Sequence, residues 1–298
     1  MYDDVVLNEY GFYTLKKIGG EEEREQYYRD RYYQEGKCSY EASYTEDELH
    51  FYNAKLEQKL LLIKKHFAFN GGSPSLLDVG CGEGFVLDFF MRRNFEVLGL
   101  DYSKAGAENH NPDVVDKILI GDLYKSVNAL IANGCKFDIV NLDNVLEHVT
   151  SPKELLDKAA WLLNDKGVVI INVPNDFSFL QRYFYDNAII SKPHWVCPLD
   201  HISYFNKEGL VNICSASGLV NVDLLGTQLI ELFILNPNTN YMESPSVGKS
   251  CHLARVMQEN IFHAISPQKT IELCRVLGDM GLGRNIIGVF KKQIAQIN

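Results

Sequence analysis

Apolar positions along the chain fall into two textures. From residue 75 onward, short unbroken apolar runs alternate with stretches of helical period. Leu76-Leu77-Asp78-Val79 ends at glycines, and a helical stretch follows from Gly84 to about Arg93. Glu96-Val97-Leu98-Gly99-Leu100, Lys117-Ile118-Leu119-Ile120 and Phe137-Asp138-Ile139-Val140-Asn141-Leu142 continue the series, and Gly167 to Val173 is its fifth run. Strands that are apolar on both faces and separated by helices predict a parallel sheet covered on both sides. The helix before the fifth run is expected to start at Ser151 as N-cap, with Pro152 at its first position and Glu154 completing a capping box. Beyond Pro174 the rhythm breaks. Residues 175–205 are aromatic-rich without a clear period. Asn206 is placed to cap a helix ended by Gly218, Leu219 to Leu225 reads as a strand, and Asn285 to Phe290 as another. Two helices, at roughly 249–264 and 268–280, are expected between them.

The first 70 residues are different. Tyr27, Tyr28, Tyr32, Tyr33, Tyr40, Tyr44 and Tyr52 crowd among charges. Thr45 and Glu48 form a capping box, and Leu49, Tyr52, Leu56, Leu60, Ile63 and Phe67 follow at helical spacing until Asn70-Gly71-Gly72. This predicts a helical, Tyr-rich cap over residues 1–70, laid against a single domain over 71–298. That domain carries an insert at 175–205 and a helical insertion at 236–282. Packing of short amphipathic helices accounts for the tyrosines as readily as a substrate lid does. No repeat or low-complexity linker divides the chain.

Composition narrows the classes. Of 298 residues, 39 are Asp or Glu and 29 Lys or Arg, so the formal charge is −10, which disfavours a nucleic-acid partner. Seven cysteines without a Cys-x-x-Cys pair argue against a disulfide framework or zinc ribbon and for a reducing compartment. No signal-like start or spanning apolar run occurs, so a cytoplasmic location without a membrane span is expected.

The residues that carry chemistry lie at the ends of the apolar runs. In Asp78-Val79-Gly80-Cys81-Gly82-Glu83-Gly84 the missing Cβ atoms let a ligand approach the backbone where a strand gives way to a helix. A dinucleotide fingerprint needs its third glycine at position 85, which is Phe85, so an NAD-dependent dehydrogenase is disfavoured. Asp101, at the end of the second strand, is placed to accept both hydroxyls of a ribose, or simply to cap the next helix. Asp122, in Gly121-Asp122-Leu123, is placed to accept from an exocyclic amine.

Taken in order, these residues resemble the class I S-adenosylmethionine methyltransferases. The run Asp143-Asn144-Val145-Leu146-Glu147-His148-Val149 is similar to the subgroup that holds ubiquinone-pathway O-methyltransferases, and His201-Ile202-Ser203-Tyr204-Phe205-Asn206 to members found with polysaccharide biosynthesis. The resemblance covers roughly 75–225. It implies a Rossmann-like, doubly wound α/β sheet of seven strands in the order 3-2-1-4-5-7-6, the last antiparallel. It implies S-adenosylmethionine as cofactor, with S-adenosylhomocysteine as product. Asp78, Gly80, Cys81, Gly82, Gly84, Asp101, Tyr102, Asp122, Leu123 and Asp143 are the expected cofactor-binding residues. The expected acceptor is a small polar molecule such as a sugar or nucleotide-sugar, methylated on oxygen, with carbon or nitrogen as alternatives. A cofactor-binding scaffold without turnover is the non-enzymatic alternative. The sequence departs from the family where a long stretch separates Leu225 from Asn285. That insertion and the cap are expected to shape the acceptor pocket or form a homodimer contact. The fifth strand ends in Asn172-Val173-Pro174-Asn175, unlike the Asn/Asp-Pro-Pro-aromatic motif used on planar amino groups. His148, beyond the fourth strand, and His201, with Tyr204 beside it and His194 nearby, are the candidate catalytic residues, a histidine serving as general base. Structural hydrogen bonding is the plain alternative for each. A metal with Asp143 among its ligands would need a triad that the sequence does not display, so none is expected.

Overall fold

The computed structural model describes residues 2, 4–18, 43–69, 71–198 and 200–293. Its centre is a seven-stranded sheet. The strands are β3 (Ser75–Val79), β4 (Glu96–Asp101), β5 (Ile118–Ile120), β6 (Phe137–Asp143), β7 (Leu163–Pro174), β9 (Leu219–Gly226) and β10 (Asn285–Lys292), ordered β5-β4-β3-β6-β7-β10-β9. Counted within the sheet, this is 3-2-1-4-5-7-6. The strands from β5 to β7 pair in parallel, while β10 runs antiparallel to both β7 and β9. The core strands are apolar on both faces because each face is covered. Leu77, Val79, Val140, Leu142, Val169 and Ile171 pack on one side with Leu155, Leu156 and Leu210 from the helices. Leu76, Ile139, Val168 and Ile170 pack on the other with Leu87, Phe90 and Ile63. Such a sheet presents ligands at the carboxyl tips of its strands, where the order reverses between β3 and β6.

Helix α1 (Glu46–His66) begins with the expected capping box between Thr45 and Glu48. Its buried face follows the apolar spacing only in part: Leu56 and Ile63 are buried, with Leu60 and Phe67 packed against the same core. Leu49 is exposed, and the covered side presents Phe51, Gln58, Lys59 and Leu62. The reason is location: part of this face lies over polar strand tips, so amide and ammonium groups are buried there with partners. At α5 (Pro152–Leu162), Pro152 occupies the first position, but the Ser151 side chain makes no cap hydrogen bond. The opening residues also depart from the helical expectation. Strands β1 (Val5–Leu7) and β2 (Tyr13–Leu15) form a hairpin that β8 (Ser203–Tyr204) extends to three strands. Phe12 anchors it against Phe205, with ring centroids 4.3 Å apart. The tyrosines at 27, 28, 32, 33 and 40 lie outside the described residues.

The insertion folds as helices α8 (Gly248–Ile265) and α9 (Pro267–Asp279). The first packs on α1 and the second on β9. A buried carboxylate locks the arrangement. Asp223 on β9 accepts from Arg275 of α9 at 2.8 Å, from His66 at 2.9 Å and from Lys65 at 3.0 Å. Burial alone would raise the Asp223 pKa, but these hydrogen bonds outweigh it and hold the carboxyl far below its ordinary range. Among the described residues, no helix is long and apolar enough to cross a membrane.

Candidate functional site

The turn after β3 is built by backbone hydrogen bonds. Gly80 and Cys81 both donate to the Leu100 carbonyl at the end of β4, at 2.7 and 3.1 Å. Two glycines are required by shape. Gly80 has φ 71°, and a Cβ there would lie 2.7 Å from Val145 Cγ2. Gly84 has φ 78°, and a Cβ would lie 2.9 Å from Val114 Cγ2. Gly82 donates to Asp101 Oδ2 at 2.8 Å, while Ser103 donates to Oδ1 at 3.1 Å. Asp101 thus closes the turn and caps the chain beyond β4. Cys81 is buried against Gly99, and burial pushes its thiol pKa upward. Asp122 Oδ1 caps the next helix through Lys125 N at 2.8 Å, and Oδ2 accepts from the Tyr102 hydroxyl at 3.0 Å. Tyr102 is largely exposed, and Leu123 is a core residue.

Beside this turn a cavity of about 380 Å³ opens among the tips of β3, β6, β7 and β10, with α1 and the insertion as its far walls. Phe51, Tyr52 and Phe85 line it together with Asp78, Asp143 and Lys59, and Arg255 and Arg284 complete its charged rim. The Tyr52 and Phe85 rings stack at 5.1 Å, and the Tyr44 hydroxyl donates to Glu83 at 2.9 Å. Lys59 is a cavity-lining residue that sequence reasoning missed. Its ammonium donates to Asn141 Oδ1 at 2.7 Å and pairs with Asp143, and Asn141 Nδ2 donates to Asp78 Oδ1 at 2.6 Å. Asp78 and Asn141 meet because they are register partners on β3 and β6. Burial pushes Asp78 up to about 7, opposed by the Asn141 hydrogen bond and the Lys59 charge. The one signal for Lys59 was its position one turn from Lys55 on the same helix, which reads as a solvated charge without the fold.

A second cluster assembles at the tips of β6 and β7. Glu147 and His148 come from the turn after β6, Asp176 from the segment after β7, and Asp200 and His201 from the aromatic insert. The two imidazoles lie 5.0 Å apart, nearly perpendicular. His148 Nδ1 is 2.9 Å from the Asp200 carbonyl, which can only accept, so Nδ1 carries the proton. Burial lowers the His148 pKa. His201 falls to about 3 through burial and then the nearby His148 and Arg284, and His194 to about 4 through burial and then Arg284. Glu147 is fully buried, and that burial raises its pKa well above the carboxylate range. Tyr204 is buried in an aromatic cluster with Phe177, and its hydroxyl donates to the His201 carbonyl at 2.9 Å. The structure thus brings His148 and His201 together, with Tyr204 beneath them. Glu147, Asp176 and Asp200 complete a group whose separate parts no local motif links.

The strand order and the glycine turn at its switch point define a doubly wound α/β domain with a ligand site at the strand tips. The sequence profile described as "Methyltransferase domain" matches residues 49–224, and the chain belongs to that family. A ubiquinone biosynthesis O-methyltransferase from Caulobacter sp. (strain K31) is 33% identical over 112 residues, 36% of this chain and 44% of that protein. The mitochondrial enzyme of the same name from Dictyostelium discoideum is 27% identical over 204 residues, 61% of each chain. The chain thus spans less than half the length of the Caulobacter relative it matches. A crystal structure titled as a SAM dependent methyltransferase from Archaeoglobus fulgidus has a TM-score of 0.49 and 17% identity, covering 80% of this chain and 94% of that one.

Proposed function

We propose that this chain transfers a methyl group from S-adenosylmethionine to an oxygen of a small polar acceptor. The observation that carries the proposal is the match between site chemistry and cofactor. Asp101 stands at the tip of β4 beside a turn in which Gly80 leaves no room for a Cβ, and Asp78, Glu83 and Asp143 line the adjoining cavity. Carboxylates and the cations Lys55, Lys59, Arg255 and Arg284 share that lining, so the ammonium and the carboxylate of a methionyl group both find partners there, while Phe85 stands where a dinucleotide fingerprint needs glycine. Gly80, Gly82 and Asp78 would hold the methionyl half, and Asp101 the ribose, with Tyr102 and Asp122 beside the adenine.

The sulfonium supplies an already activated methyl group, so a C–O bond forms as the C–S bond breaks. The protein's own work is alignment and exclusion of water. The aromatic wall of Phe51, Tyr52 and Phe85 provides a dry surface, and Arg255 and Arg284 give a polar acceptor points of attachment. The proton of the acceptor hydroxyl leaves toward the His148–His201 cluster. Relatives named for O-methylation favour oxygen over carbon or nitrogen. The cationic rim and aromatic wall together suit a sugar, a nucleotide-sugar or a phenol.

The test is to incubate the chain with labelled cofactor and panels of sugar, nucleotide-sugar and phenolic acceptors. One S-adenosylhomocysteine released per methylated oxygen is expected. Cofactor binding with no turnover across all panels would favour a scaffold. His148→Ala and His201→Ala should each lower turnover by about 10²–10⁴-fold while cofactor affinity changes little. Near-normal turnover in both would remove the cluster from the reaction.

A further inference from the structure

The cluster at the tips of β6 and β7 holds more unsatisfied polar atoms than a settled protein interior tolerates. Glu147 Oε2, Asp176 Oδ2, Asp200 Oδ1 and His201 Nδ1 are all buried without a hydrogen-bond partner. Glu147 is 1% exposed and Asp176 2%. Buried polar atoms are nearly always partnered, and a bound ion is one of the few explanations for a group of exceptions. One ligand atom each from Glu147, His148 and His201 lies within 4.8 Å of the other two.

We propose that Glu147, His148 and His201 bind one divalent first-row transition-metal ion, with Asp176 and Asp200 as outer partners that hold the histidines. Two imidazoles and a carboxylate suit Zn²⁺, Co²⁺ or Mn²⁺ better than Mg²⁺, which takes oxygen ligands. One outer partner is already in place. The His148 Nδ1 proton is donated to the Asp200 carbonyl, which turns Nε2 toward the cluster, and Nε2 lies 3.8 Å from Glu147 Oε1. Asp200 Oδ2 lies 3.6 Å from His201 Nε2 and Asp176 Oδ2 lies 3.9 Å from His201 Nδ1, too long for hydrogen bonds, so the ion takes one ring nitrogen and the carboxylate beside the other closes in to hold the ring. Metal-bound histidines are held in this manner by carboxylates and carbonyls. Ligands at about 2.0–2.2 Å from a zinc ion stand roughly 3–4 Å from one another, so the three side chains draw together by about 1 Å on binding. The positive charge of the ion offsets the buried carboxylates of Glu147 and Asp176 and the part-exposed one of Asp200.

Arg284 links this cluster to the cavity, since it lines the cavity and its charge acts on both Asp176 and His201. The assigned role of the ion rests on the methyl-transfer reading: with both imidazoles on the ion, it lowers the pKa of an acceptor hydroxyl, whose proton leaves through the cluster to solvent. Binding of the ion stands without that reading.

The experiment uses the untagged full chain, stripped with EDTA, dialysed and titrated with Co²⁺, with visible absorption as the readout. One equivalent per chain with d–d bands is expected, and Zn²⁺ should abolish the bands by displacement. His201→Gln and Glu147→Gln should each weaken Co²⁺ binding at least tenfold, and His263→Gln, on α8 and paired with Glu57 at 2.8 Å, should leave it unchanged. If buried Glu147→Gln fails to fold by circular dichroism, the half-buried His201→Gln decides. Absence of Co²⁺ bands, or equal binding by wild type and His201→Gln, would overturn the site. S-adenosylhomocysteine titrated into the same stripped protein keeps the two readings apart. Its binding without Co²⁺ binding removes only the ion site, and the reverse removes only the cofactor assignment.

Discussion

Asp101 carries two separable duties, and two substitutions should divide them. In the structure its carboxylate accepts from Gly82 N at 2.8 Å and Ser103 N at 3.1 Å, and the residue is 5% exposed. Asp101→Ala leaves the buried Gly82 N–H without this acceptor, which should cost about 1–3 kcal/mol of stability. Asp101→Asn retains one oxygen, and with that oxygen turned to Gly82 it gives up only the bond to the more exposed Ser103, for about 1 kcal/mol. Both variants lose the charged acceptor for two ribose hydroxyls. Hydrogen bonds to a charged group contribute about 1.5–3 kcal/mol, so affinity for S-adenosylhomocysteine should fall about ten- to a hundredfold in each. Urea unfolding reads the first effect and calorimetry the second. The reasoning fails if Asp101→Asn binds with wild-type affinity, since Asp101 would then be only a turn-closing residue. It also fails if the alanine and asparagine variants are equally stable, since the Gly82 bond would then contribute nothing.

Three further outcomes follow from the same geometry. Asp223→Asn removes the charge on which Arg275, His66 and Lys65 converge, and should cost about 2–4 kcal/mol at pH 7, read by urea unfolding. Because folding depresses the Asp223 pKa, its contribution is fully present above the unfolded value of about 3.9 and is lost as pH falls below it, so the wild-type excess over Asp223→Asn should shrink on acidification from about pH 5. Asp78 behaves oppositely. Its folded pKa of about 7 exceeds the unfolded one, so its contribution is complete below about pH 4 and is lost as pH rises toward 7. Asp78→Asn should abolish that slope in unfolding measurements, and a slope equal to wild type would show that another group carries it. Since a cationic ligand prefers ionised Asp78, affinity for S-adenosylmethionine should also rise between pH 6 and 8 in calorimetry, by up to about tenfold per unit below 7.

What the sequence made legible follows the range of the interactions concerned. The strands, the glycine turn and the sheet order rest on local apolar runs and on the left-handed glycines Gly80, Gly82 and Gly84, and these are visible in short windows. Helices α8 and α9 lie within a residue or two of where the spacing put them. Lys59 was not legible, because its burial depends on α1 lying over the tips of β3 and β6, a contact across 82 residues of chain to Asn141. For the same reason Leu49 reads as core and is exposed. The β1–β2 hairpin escaped notice since its third strand is two residues long and lies at Ser203–Tyr204. His148 and His201 were individually visible, but their union with Glu147, Asp176 and Asp200 arises from three separate segments that only the folded sheet gathers. Asp122 has partners that its motif does not display: its carboxylate caps a helix and accepts from the Tyr102 hydroxyl.

Isothermal titration of the purified chain with S-adenosylhomocysteine, with NAD in a parallel cell, tests the central claim most directly. The account predicts saturable binding of one S-adenosylhomocysteine per chain and no heat from NAD, because Asp101 and the glycine turn receive an adenosyl amino acid and Phe85 stands where a dinucleotide needs glycine. Saturable binding of NAD, with none of S-adenosylhomocysteine, would contradict it.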